Sequence, residues 1–186
     1  MKKYVTVLCG AALVAAAAGS AFEIPGLGAK VDTKKFDELI ASIEEVSGML
    51  EEARGKIDVC HATLGEIAAA HDAADLMSDP VQLVGIKDAI TDEEKALVQA
   101  QAEIIQTVPD DLQAATEKAT EITGKIPDAL TELVDQIAKN PMAAVSLKDK
   151  QEKLEDGKAA LEEIVNEVPA LVETATSLIS AVTGLL

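Results

Sequence analysis

Aromatic side chains are almost missing from this chain. Its 186 residues include no Trp, one Tyr and two Phe. Bases and sugars are commonly held by stacking on rings, so no such platform is on offer. Positive charge is also scarce, with 16 Lys and Arg against 33 Asp and Glu and a formal net charge of −17. Binding to DNA, RNA or anionic headgroups is driven by Lys and Arg, which makes these poor partners on net charge. The same excess favours solubility. Cysteine is limited to Cys9 and Cys60. Motifs that mark chemistry are absent too: there is no GxSxG, P-loop, GxGxxG, HExxH or calcium loop.

The first residues are organised differently from the rest. Met1-Lys2-Lys3 is cationic, Val5 to Ala18 is apolar, and Gly19-Ser20-Ala21 supplies small residues for cleavage. This is the layout of a bacterial secretory signal peptide, expected to be cut after Ala21. An uncleaved anchor is the rival reading. The apolar part is short of the roughly 18–20 residues that span a bilayer. Cys9 follows Val7-Leu8 rather than a small residue, which counts against a lipoprotein. The processed chain, 22–186, keeps 14 basic and 33 acidic residues, a formal charge of −19. It is expected in the periplasm or outside the cell. Cys60 is then alone and cannot close an internal disulfide. A buried thiol, an intermolecular bridge and a reactive thiol remain. Its place on an apolar stripe favours the first.

The chain also repeats itself. DPVQLVGIKD from Asp79 returns as NPMAAVSLKD from Asn140. Thr107–Gly124 returns as Glu167–Gly184, and Gly55-Lys56-Ile57 as Gly124-Lys125-Ile126. Order and spacing are nearly kept, so an internal duplication is inferred, with units of about 55–123 and 124–184.

Residues 22–32, with Pro25, Gly26 and Gly28, read as a flexible leader. Beyond them the apolar residues fall at alternating steps of three and four, the period of helices packed side by side. The first seam is Phe36, Leu39, Ile43, Val46, Leu50, Ala53, Ile57, Cys60, Leu64, Ile67, His71 and Ala74, capped by Asp32 or Thr33 and open to bending at Gly48, Gly55 and Gly65. Asp79-Pro80 ends it. Thr91 and Glu94 form a capping box, and a second seam follows: Leu97, Ala100, Ile104, Val108, Leu112, Ala115, Ala119 and Ile122. Pro109 reads as a kink or a helix start, and Gly124–Pro127 as a kink or a break. After Asn140-Pro141 the last seam runs Leu147, Leu154, Leu161, Ile164, Val168, Leu171, Ala175, Leu178, Val182 and Leu185, kinked at Pro169. The expected fold is all-α, one domain over 33–186: an elongated, coiled-coil-like, Pro-kinked antiparallel bundle of three segments, up-down-up. An opened rod or an intermolecular coiled coil is the alternative.

No set of residues assembles for catalysis, cofactor binding or metal binding. Cys60 and His61 are adjacent and point apart on a helix, and His61 and His71 are ten apart. Only His71 and Asp75 could share an ion, and weakly. The acid pairs Glu44-Glu45, Glu51-Glu52, Asp110-Asp111 and Glu162-Glu163, with Asp92-Glu93-Glu94, read as solvated faces and helix starts. The final helix has no charge after Glu173 and presents a wide apolar face, suited to core, partner or lipid. It lacks the basic face and aromatic boundary of a membrane-surface helix. The expectation is a non-enzymatic spacer, scaffold or interaction module of the bacterial envelope, acting on an envelope protein or on itself. Membrane contact is conceivable only through the C-terminal helix. The second reading is a carrier of lipid or another apolar ligand, hinged at Pro109, Gly124–Pro127 and Pro169.

Overall fold

The computed structural model describes residues 31–186; the expected signal peptide and residues 22–30 of the leader lie outside them. The described chain is all-α. Helix α1 spans Lys34–Ala70, α2 Asp92–Ile105, α3 Val108–Lys139 and α4 Ala144–Leu185. Short 3-10 turns at Ala74–Ser78, Pro80–Ile86 and Pro141–Ala143 join them. At 1.5 Å per residue, the 42 residues of α4 extend about 63 Å. Helices α1, α3 and α4 pack pairwise, and α2 continues the line of packing of α3 against α1 and α4.

Cross-helix ion pairs fix the directions. Asp37 pairs with Lys150 and Arg54 with Glu167, so α1 and α4 run parallel at a constant sequence offset of 113. Lys35–Glu132, Glu45–Lys118, Lys56–Asp111 and His71–Glu94 step in opposite directions along α1 and α3–α2, so these run antiparallel. The path is up-down-up. Exposed pairs of this kind contribute about 0–1 kcal/mol each. The fold is held instead by one continuous apolar core, with Phe36, Leu50, Cys60, Leu64, Leu112, Ile126, Leu133, Leu154, Leu161 and Leu178 all inside it.

The first seam is buried from Phe36 to Ile67, with Leu39 at its edge. It stops earlier than expected. α1 ends at Ala70, and Asp72 takes a φ of 55°. The Ala73 amide donates to the Ala68 carbonyl and the Asp72 amide to that of Ala69. This is a Schellman ending, with aspartate where glycine is usual. Ala74 therefore lies in the 3-10 turn and His71 caps the helix. Gly48, Gly55 and Gly65 do not interrupt α1. At its start, Asp32 accepts the Lys34 amide and the Thr33 hydroxyl donates to Asp37.

The second seam needs correcting in α2. Leu97 and Ile104 are 53% and 39% exposed, whereas Val98, Gln101, Ala102 and Ile105 are buried. From Val108 onward the expected residues are inside. Stepping back three residues from Val108 to Ile105, not four to Ile104, keeps the heptad, but it places polar Gln101 in the core. Pro109 stands in the first turn of α3, so it starts a helix. Helix α3 runs through Gly124 and Pro127, and α4 through Pro169, without interruption. The last seam is buried as expected, with Leu171 at its edge.

Corresponding parts of the two repeat units share local structure. Asp79 (φ −140°, ψ 85°) and Asn140 (φ −131°, ψ 70°) both precede a proline that opens a 3-10 turn. Val108 and Val168, Ala115 and Ala175, and Ile122 and Val182 are buried. The hydroxyls of Thr116 and Thr176 each donate to the carbonyl four residues back.

Candidate interaction surface

Helix α2 presents two apolar stripes, and only one is used by the core. Its start is fixed by the expected capping box: the Thr91 hydroxyl accepts the Glu94 amide, and the Glu94 carboxylate accepts the Thr91 amide at 2.7 Å. That phase sends Val98, Ala102 and Ile105 inward and leaves Leu97, Ala100 and Ile104 outside. On α1, Val59 is 53% exposed. It falls between the Lys56–Asp111 and His71–Glu94 rungs, the interval spanned by α2's outer stripe. Such a strip can bury against an apolar partner; it offers no group for proton transfer or nucleophilic attack.

The polar candidates end in structural roles. His71 Nε2 lies 3.1 Å from Glu94, tying the end of α1 to the start of α2. The Thr91 amide, with His71 beside it, holds the Glu94 carboxyl down at about 2. Asp75 is exposed in the following 3-10 turn, and His61 is exposed on α1. Among the described residues, no group of three or more His, Cys, Asp or Glu is placed to hold a metal ion. Cys60 is fully buried, and burial pushes its thiol up to about 11. One member of each acid pair meets a lysine. Asp111 and Glu52 share Lys56 and raise its pKa, Asp111 by the stronger hydrogen bond. Lys118 takes Glu45, and Lys158 takes Glu162 at 3.6 Å.

One opening lies between α3 and α4, about 330 Å³, lined by Thr120, Thr123, Glu162, Val165 and Asn166. Thr123 and Val165 both line it, and the carbonyl of each lacks the usual amide partner four residues on, where Pro127 and Pro169 stand. The Thr123 hydroxyl is buried without a partner, while those of Thr63, Thr116, Thr120, Thr131, Thr174 and Thr176 bond back to their own helix.

Pro141–Leu185 is long and apolar enough to cross a membrane by length and composition alone, although a third of its most apolar stretch is buried in the bundle. At its charge-free end Ala175, Leu178, Ala181, Val182 and Leu185 are core residues, and Val84 packs over Gly184. Val59 carries no signal in the sequence as a surface residue, since isolated valines on helices are common. Nor do Met142 and Val145, which are 69% and 85% exposed at the α3–α4 turn. No protein-family model, curated protein or solved structure matches this chain.

Proposed function

We propose that this protein acts without catalysis, as a rigid spacer or scaffold of the bacterial envelope that engages a partner through the outer stripe of α2. The observation that carries the reading is that stripe. Leu97 and Ile104 are large, apolar and left outside a core that is otherwise complete along the bundle. Support also comes from helix continuity. The carrier reading asks for hinges at Pro109, Gly124–Pro127 and Pro169; of the three, only Pro109 stands at a helix break, between α2 and α3, and α3 and α4 pass through the other two. A rod of about 60 Å with one continuous apolar core suits holding things apart more than enclosing a ligand.

Sedimentation and crosslinking in envelope extracts test this. The native chain should form a defined assembly, with itself or with one partner. A Leu97→Ser/Ile104→Ser pair should abolish it while leaving the melting temperature within a few degrees, because both side chains lie outside the core. If the native chain stays monomeric and uncrosslinked, or the paired variant assembles as before, the reading fails.

A further inference from the structure

The groove between α3 and α4 carries polar groups that the fold leaves unused. Its volume of about 330 Å³ has room for roughly ten water-sized groups. Thr120 and Thr123 are three apart on α3, and Glu162 and Asn166 four apart on α4, so each pair shares one face of its helix. Glu162 is the only charged residue in the lining. Lys158 stands 3.6 Å from it, beyond the roughly 2.7–2.9 Å of a charge-assisted hydrogen bond, so the carboxylate keeps acceptor positions free. The Thr123 hydroxyl is buried without a partner. The Thr120 hydroxyl already donates to the Thr116 carbonyl at 2.8 Å, which leaves it only lone pairs to offer. Asn166 adds an amide oxygen, and Val165 an apolar wall.

We propose that this groove binds a small alkylammonium ion, its ammonium held by Glu162, Asn166 and Thr123 and its chain laid along Val165. An ammonium has three donors and no acceptor. The groove is its complement: acceptors from two helices and one negative charge. An anion would be repelled by Glu162, and a neutral alcohol would leave that charge unmatched. The planar fork of a guanidinium suits two parallel bonds to one carboxylate, whereas these acceptors stand on separate helices. The ion would also give the Thr123 hydroxyl a partner, and a buried polar group without one is costly. The net charge of −17 raises the local concentration of any cation. Thr120, Glu162 and Asn166 are exposed, so the ion enters from solvent with the apolar core closed. The groove lies apart from the α2 stripe, and variants of one leave the other intact.

Asn140 and Asn166 are the only two asparagines of the chain. Isotope labelling of asparagine in the full chain therefore gives one side-chain amide signal at the α3–α4 turn and one in the groove. Titration with pentylammonium should shift the Asn166 signal saturably and leave that of Asn140 in place. Pentanol should bind about tenfold more weakly, and pentanoate should not bind. Glu162→Gln should weaken pentylammonium about tenfold and Thr123→Val about fivefold, with no fall in melting temperature. Glu163→Gln removes an equal charge outside the lining and should leave the affinity unchanged. An unmoved Asn166 signal, an equal shift at Asn140 or equal binding of pentanol would each overturn the proposal. So would full affinity in Thr123→Val. Equal losses in Glu162→Gln and Glu163→Gln would mean attraction to the general negative field and no site. Tighter binding of Nα-acetyl-lysinamide than of pentylammonium would assign the groove to a lysine of another protein and overturn it as well.

Discussion

Gly157 of α4 lies against Ile43 of α1 so closely that a Cβ at 157 would meet Ile43 Cδ1 at 2.5 Å and Cγ2 at 3.2 Å. Both residues are buried. The contact sits in the parallel α1–α4 interface, between the Asp37–Lys150 and Arg54–Glu167 rungs.

Gly157→Ala is therefore expected to destabilise the bundle, although alanine is the better helix former. The helical gain is about 1 kcal/mol, and overpacking a filled core costs about 1–3 kcal/mol. Ile43 is β-branched and stiff at χ1, so Cγ2 cannot swing away freely. Ile43→Val removes Cδ1 and should cost less in the Gly157→Ala background than alone. Gly55→Ala is the control: nothing lies within 4 Å of its Cβ position, and it should stabilise by about 1 kcal/mol. Chemical denaturation of the four variants measures the coupling.

Among the described residues Gln101 is the one polar residue that is buried, 8% exposed, and its Oε1 has no partner. Gln101→Met keeps length and volume and removes the unsatisfied acceptor. A gain of about 1–3 kcal/mol is expected, read as a higher denaturation midpoint. A loss would mean that the amide is bonded in solution.

Cys60 should behave as a core residue. With its thiol at about 11 and no exposed surface, the thiolate is rare at pH 8. An alkylating reagent should label it only as fast as the protein unfolds. Non-reducing electrophoresis should show one monomer band that reductant does not move. A reductant-sensitive dimer would contradict the burial.

Acid should weaken the junction between α1 and α2. The Glu94 carboxyl is held at about 2, first by the Thr91 amide and then by His71, below the ordinary carboxylate value of about 4.3. Its contribution is complete above the ordinary value and is lost as pH falls toward 2. Glu94→Gln should lower the melting temperature at pH 7 and reduce its fall between about pH 5 and pH 2.

Much of this architecture is legible in residue spacing, and the failures are instructive. The seams of α1, α3 and α4 could be read because nearly every inward position carries Ala, Val, Ile, Leu, Phe or Cys, Gly157 being the exception. In α2 the true seam passes through Gln101, and the neighbouring stripe of Leu97, Ala100 and Ile104 is more apolar. Apolarity alone selects the wrong face, and only packing against α1 and α4 decides. The end of α1 was missed because its left-handed residue is Asp72, where glycine would have announced it. Pro109 could be read two ways; Thr107 decides, its hydroxyl donating to the Ile104 carbonyl as α2 gives way to α3.

The parallel course of α1 and α4 puts Val31 and Leu186 at opposite extremities. Tension applied between the two termini would slide the helices lengthwise past one another. All the interlocked layers would then share the load at once, where a hairpin with adjacent ends would peel open layer by layer. A chain tethered at one terminus and gripped at the other would work as a strut that resists being stretched.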